Sequence, residues 1–261
     1  MIMSIIMFIF GLLIGSSVYA FVWRYHEHKD WLKGRSECDY CHHVLSPLDL
    51  IPLFSWLILR GKCRYCHKSL SWQYPLVELA TAGLFSLSYT FWPLSFQGQG
   101  LFQFICWVLL MTGFMTLIIY DLRWYTLPDK IVFPLVAISL IQLIVVSLVS
   151  ADLGYFIKAV IGAIVIAGTF YILFQLSGGK WIGGGDVKLA ICLGLIVGSP
   201  LRAVLLIFIA SLSGAIIAIP LLLKRRTMNI RIPFGPLLIL ATIIVFFAGS
   251  DLISWYSRLI T

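Results

Sequence analysis

Two constellations in this 261-residue chain have the residue types and spacing to do chemistry. The first is Cys38-x2-Cys41 with Cys63-x2-Cys66, with 21 residues between the pairs. Each pair can sit on a tight knuckle and offer two thiolates. Two such pairs complete a tetrahedral zinc set with no open position, so the metal would be structural. Histidines follow both pairs, His42 and His43 after the first and His67 after the second, and one of them could replace a thiolate. Cys106 and Cys192 lie inside apolar runs and read as packing residues.

The second constellation is a set of carboxylates. Glu78, Asp121, Asp129 and Asp186 all fall near the ends of long apolar runs, and Asp186 follows the turn Gly183-Gly184-Gly185. An acid at that depth is expensive to bury without a partner. Two carboxylates brought together in a low dielectric cannot both ionise easily, so they share a proton and one pKa rises well above the other. The ionised member then takes a proton from water while the protonated one polarises a carbonyl. That is amide hydrolysis without a metal or a covalent intermediate. Gly183 and Gly185 allow close backbone approach and read as a substrate-approach turn. The same string also suits an acid that caps a helix. Lys188 either pairs with Asp186 or snorkels to the surface, the commoner habit of a lysine at this depth. Asp49 belongs to the cysteine-bearing loop, and Asp152 and Asp251 read as solvated helix ends. All five histidines precede residue 68, so none is placed to act as a base in the membrane.

The elements that must position these groups follow from composition. The chain is 61% hydrophobic and 11% charged, against about 25% charged in a soluble domain. It reads as an all-α polytopic membrane protein. The net charge of +8 does not point to nucleic acid, because all but Lys158, Arg202 and Arg258 of the 19 Lys and Arg fall in four segments, 24–72, 121–130, 177–188 and 224–231. That asymmetry is what the positive-inside rule produces. Residues 1–23 carry no Lys or Arg, so the first apolar run reads as a retained helix with its N-terminus outside, not as a cleaved leader. The loop after it is then cytoplasmic, where disulfides are disfavoured and metal is the better reading of its cysteines.

Apolar runs predict about eight transmembrane helices, near 2–23, 74–96, 101–120, 131–149, 155–176, up to 198, 203–223 and 233–254. Asp121 is expected to end the third, and Ser199-Pro200 to turn the chain outside. Both termini come out external. The expected division is a first helix (1–23), a cytoplasmic four-cysteine zinc loop (24–72) and a transmembrane core (73–261).

Tyr120-Asp121 closing one helix and Gly-x-Gly-Asp opening another match the pattern of GxGD intramembrane aspartyl proteases. GLLIGSSVYAFVWR, the four-cysteine loop, YPLVELATA, DLRWYTLPD, GGGDVK and RIPFGP occur in this order. Over residues 11–240 the chain resembles the type IV prepilin peptidases that act as both leader peptidase and N-methyltransferase. The resemblance implies catalytic aspartates at Asp121 and Asp186. Asp129, in Leu127-Pro128-Asp129, is the competitor for the first of these, and it also suits an N-cap of the fourth helix. The implied substrate is a prepilin or pseudopilin with a short basic leader, cut after a glycine at the cytoplasmic face of the bacterial inner membrane. The new N-terminal amine is then methylated from S-adenosylmethionine. No Rossmann-type fingerprint for that donor is present; Glu78 and the cytoplasmic loop are the candidates for methyl transfer, although Glu78 equally suits a dipole-stabilised acid near a helix start.

Three other readings compete. A peptidase without methyl transfer, like the archaeal preflagellin peptidases, would lack the four-cysteine loop. A proton-coupled transporter could use the acids as a relay, but it leaves that loop and the one-sided placement of the acids unexplained. A non-catalytic scaffold carrying a zinc knuckle would explain the loop but leaves the GxGD turn unexplained.

Overall fold

A computed structural model describes residues 2–30, 35–38, 40–225 and 232–260. Among these the chain is helical, with two isolated antiparallel bridges and no named strand. It divides into two compact units, Met1–Trp92 and Pro93–Thr261.

In the first unit, α1 (Ile2–His26) packs against α3 (Gln73–Thr90), and the polar loop between them carries only a 3-10 turn, Pro47–Leu50, and one short helix, α2 (Phe54–Ile58). Small residues set the α1–α3 approach. A Cβ on Gly11 would stand 2.6 Å from the Ala82 Cα, and one on Gly15 would stand 2.8 Å from the Glu78 Cα. The order of these contacts makes the helices antiparallel, and both ends agree. Ser4 meets Thr90, and the Tyr19 ring lies 4.2 Å from that of Tyr74. Close backbone approach at small residues is how helices associate in lipid. Gly11→Val is therefore expected to destabilise this unit by about 1–3 kcal/mol, read as a lower Tm in detergent; an unchanged Tm would mean that the contact does not set the approach.

The second unit comprises α4 (Gly98–Trp124), α5 (Asp129–Ser150), α6 (Leu153–Ser177), α7 (Gly184–Val197), α8 (Pro200–Arg225) and α9 (Gly235–Ile260). Its centre is the shortest of these, α7, in which Leu189, Ala190, Cys192 and Leu193 are fully buried. A helix that is apolar on every side belongs inside a bundle. Gly194 lets α6 come close: a Cβ there would stand 2.3 Å from the Ala163 Cα. The Trp107 ring of α4 stacks at 4.1 Å on Phe246 of α9.

Several boundaries differ from the sequence reading. The second helix stops at Thr90 rather than near 96, where the Phe91 N–H closes on the Leu87 carbonyl and Pro93 follows. Asp121 does not end its helix. The chain stays helical to Trp124, and Tyr125, with φ +54, caps it by donating its N–H to the Asp121 carbonyl at 2.9 Å. Pro200 opens α8 rather than sitting in the turn, a position where a missing N–H costs nothing. Asp129 lies inside the first turn of α5 with Pro128 as the N-cap, so it does not cap that helix.

Six of the described helices are long and apolar enough to cross a membrane: α1, α4, α5, α6, α8 and α9. The expected eight included α3 and α7. The first of these is 18 residues long and carries Gln73, Glu78 and several hydroxyls. The second has 14 residues, about 21 Å of helix against a hydrocarbon core of about 30 Å. Arg226 and Arg231 of the basic segment 224–231 lie outside the described residues.

Candidate active site and metal centre

The second unit brings Asp121 and Asp186 together, close enough for their charges to oppose each other. Asp121 projects from the last turn of α4 and is 6% exposed. Its Oδ2 accepts a buried hydrogen bond of 3.0 Å from the backbone N–H of Gly235, the first residue of α9. Asp186 is half-buried in the first turn of α7, and its Oδ2 accepts the Gly183 N–H at 3.2 Å. Each carboxylate thus has one oxygen held by a backbone amide. Among the described residues no Lys or Arg pairs with either acid.

Asp129 is differently placed. Both of its oxygens accept from the Lys188 Nζ at 2.7 Å, and its side chain is 52% exposed. Lys188 therefore neither pairs with Asp186 nor simply snorkels; it neutralises the competing acid.

The glycines of the turn have identifiable neighbours. A Cβ on Gly185 would meet the Leu127 Cβ at 2.8 Å, whereas among the described residues one on Gly183 would meet only the Asp186 Oδ2, at 3.2 Å. Leu127 also lies against Gly235, 3.4 Å from where a Cβ would stand. Neither Leu127 nor Gly235 was assigned a task by the sequence, although both fall inside the quoted motifs DLRWYTLPD and RIPFGP.

In the first unit the Sγ atoms of Cys38, Cys41, Cys63 and Cys66 lie within 4.8 Å of one another, with Cys38 and Cys66 3.8 Å apart. A tetrahedron with metal–sulfur bonds of ~2.3 Å has sulfur–sulfur edges of ~3.8 Å, so the cluster has the dimensions to hold an ion. The two pairs sit on equivalent knuckles. The Cys38 N–H donates to the His43 carbonyl and the His42 N–H to the Cys38 carbonyl, at 3.0 and 2.9 Å; Cys63, Lys68 and His67 repeat the pattern at 2.9 and 3.0 Å. His42 and His67 occupy the left-handed turn position, at φ +55 and +57, and the metal-sized group consists of cysteines alone. Burial opposes ionisation of Cys38, but the Cys41 and Tyr40 amides and the neighbouring thiols outweigh it and lower the group to about 7. Cys66, despite a backbone donor from Lys68, is raised to about 11 by burial and the other thiols. Four thiols this close share their protons unevenly unless a cation joins them.

Asp49 ties the 3-10 turn to the second knuckle. Its carboxylate accepts from the Ser46 hydroxyl at 2.8 Å, the Arg64 Nε at 2.6 Å and the Tyr65 hydroxyl at 3.2 Å. Burial works against its charge, but Ser46 and Arg64 hold the carboxyl below its usual range. Glu78 is a second tie: its Oε2 accepts the Leu53 N–H at 2.7 Å, and Leu53 sits at φ +62, ψ −52. The Ser16 hydroxyl is also bonded to Glu78. Glu78 lies at the edge of a cavity of about 610 Å³, whose walls include Tyr19, Trp23, Arg24, Trp56 and Tyr74.

The chain matches two family models. The Bacterial Peptidase A24 N-terminal domain covers residues 9–92, ending where the first compact unit ends, and the Type IV leader peptidase family covers residues 104–219. Among curated relatives, the prepilin leader peptidase/N-methyltransferase of Xanthomonas campestris pv. campestris is 39% identical over 80% of this chain and 70% of its own length. That of Bacillus subtilis is 29% identical over 97% of this chain and 98% of its own. That of Aeromonas hydrophila is 35% identical, covering 85% and 74%. No solved structure matches. Both family models fall in order along the chain, and relatives above 30% identity are covered over more than two thirds of their length, so the chain belongs to the type IV leader peptidase family.

Proposed function

We propose that this chain removes the basic leader from type IV prepilins or pseudopilins with an Asp121–Asp186 pair and then methylates the new N-terminal amine. The observation that carries the peptidase reading is that two carboxylates, from α4 and α7, lie within range of each other's charge, with no basic side chain neutralising either among the described residues. One proton shared across the pair leaves one acid to receive a proton from water and the other to protonate the scissile carbonyl. Water adds to the carbonyl carbon, the tetrahedral intermediate collapses, and the leaving nitrogen takes up a proton to become the amine of the mature pilin. Gly183, whose side-chain position is open apart from its own Asp186, is where substrate backbone would pass; Gly185 is packed on Leu127.

S-adenosylmethionine supplies an electrophilic methyl group that the unprotonated amine attacks. The cavity in the first unit suits such a donor. Tyr19, Trp23, Trp56 and Tyr74 line it with the aromatic rings that attract a sulfonium, and Glu78 is part of the same lining. The four cysteines would hold zinc and fix the loop that closes this cavity. In this reading the functional segments 1–23, 24–72 and 73–261 lie over two compact units. Helices α3 and α7 complete eight crossings of the bacterial inner membrane, with both termini external and the acids near the cytoplasmic face. A protein that hydrolyses but does not methylate would lack a use for the cavity.

The test is purified enzyme in detergent with a synthetic prepilin, the product weighed with and without S-adenosylmethionine. Cleavage, with the mass of one methyl group added only when the donor is present, is expected; cleavage without added mass would leave a peptidase alone. Glu78→Gln separates two roles of that acid. Glutamine keeps an acceptor for the Leu53 N–H but removes the charge. Methylation is expected to fall roughly ten- to hundredfold with cleavage intact; unchanged methylation would reduce Glu78 to an anchor of the loop.

A further inference from the structure

We propose that Gly235 and Leu127 are positioning residues that set the orientation of Asp121, a role that rests on the aspartate-pair reading. Asp121 stands in the last turn of α4, where the helix provides no N–H for its carboxylate and the dipole disfavours the charge. Its donor arrives from 114 residues away, as the Gly235 N–H at the start of α9. That amide belongs to a first helical turn, where N–H groups lack intrahelical partners, and Pro236 beside it has none. Position 235 must be small for reasons of space: a Cβ would stand 2.8 Å from the Asp121 Oδ2 itself and 3.4 Å from the Leu127 Cδ2. Leu127 lies between the two sites, meeting Gly185 next to Asp186 and Gly235, the donor to Asp121. It is the spacer between them. With each Oδ2 already occupied by an amide, the two Oδ1 atoms are the ones left to face water and the scissile carbonyl.

The experiment compares Gly235→Ala, Leu127→Ala and Asp121→Asn in full-length enzyme, measuring kcat and KM for prepilin cleavage alongside methylation of a pre-cleaved peptide. Gly235→Ala should lower kcat by about ten- to a hundredfold, the cost of a misplaced group, with KM little changed and methylation retained. Leu127→Ala should lower kcat in the same way. Because it removes atoms and creates no clash, it decides the matter if Gly235→Ala loses methylation as well and has therefore unfolded. Wild-type kcat in Leu127→Ala, or in a folded Gly235→Ala, would overturn the proposal while Asp121→Asn stays inactive. An active Asp121→Asn would instead overturn the aspartate-pair reading on which it rests.

Discussion

Asp121→Asn and Asp186→Asn are each expected to lower prepilin cleavage by roughly 10²- to 10⁴-fold while methylation of a pre-cleaved peptide continues. Asparagine keeps the shape and an acceptor for the amide that holds each Oδ2, so the fold and the turn persist. What it removes is the exchangeable proton. At position 186 the half-buried side chain would no longer share a proton with Asp121; at position 121 the amide would be unable to protonate the carbonyl or receive from water. The double variant should be no slower than the worse single one, because groups that act as a unit are not additive. Full cleavage by either single variant would end that residue's assignment. Asp129→Asn is the internal control. Its carboxylate is more than half exposed and ion-paired with Lys188, and such a pair contributes about 0–1 kcal/mol, so substantial activity should survive. If Asp129→Asn were inactive and Asp121→Asn active, the two acids would have to exchange roles.

The pair itself was legible because acids inside apolar runs are rare enough to demand a purpose. Choosing between Asp121 and Asp129 was not legible. The contact that favours Asp121 joins Lys188 to Asp129, 59 residues away, and local residues carry no trace of it. The donor to Asp121 is likewise 114 residues distant, and RIPFGP announces a turn but not what its amide will meet. Asp49, by contrast, could have been found: Ser46-Pro47-Leu48-Asp49 has capping-box spacing, and the Asp49 carboxylate accepts the Ser46 N–H. The extension of α4 past Asp121 was hidden because a polar DLR reads as the end of an apolar run, whereas the helix ends where Tyr125 turns left-handed. For α3 and α7 the apolar pattern reads as two further spans, and neither is among the six described helices long and apolar enough to cross a membrane; burial in a bundle and passage through lipid leave the same signature over such short lengths.

Cys63→Ser is expected to take bound zinc from about one per chain, the content of a closed four-thiolate site, to background. The loop should then loosen, because it has little regular structure of its own and the ties from Asp49 and Glu78 remain only at single points. Between His26 and Gln73 the described chain has only the 3-10 turn, α2 and two single bridges, while structural zinc contributes about 10–16 kcal/mol in small knuckles. Protease should then cut within 40–70, and methylation should fall with it, since Trp56 and Leu50 of this loop wall the cavity. Cys106→Ser changes a buried cysteine of the second unit and should leave zinc unchanged. The histidines make the sharper comparison. If His67 were a ligand, His67→Gly would release the ion. If it is there because the knuckle needs a residue at φ +57 whose N–H bonds the Cys63 carbonyl, glycine fits at least as well, and zinc stays. His42→Gly should behave alike. Retention in both glycine variants with loss in Cys63→Ser would fix the ligand set as four cysteines; zinc that survives Cys63→Ser, or leaves with His67→Gly, would not be held as these knuckles imply.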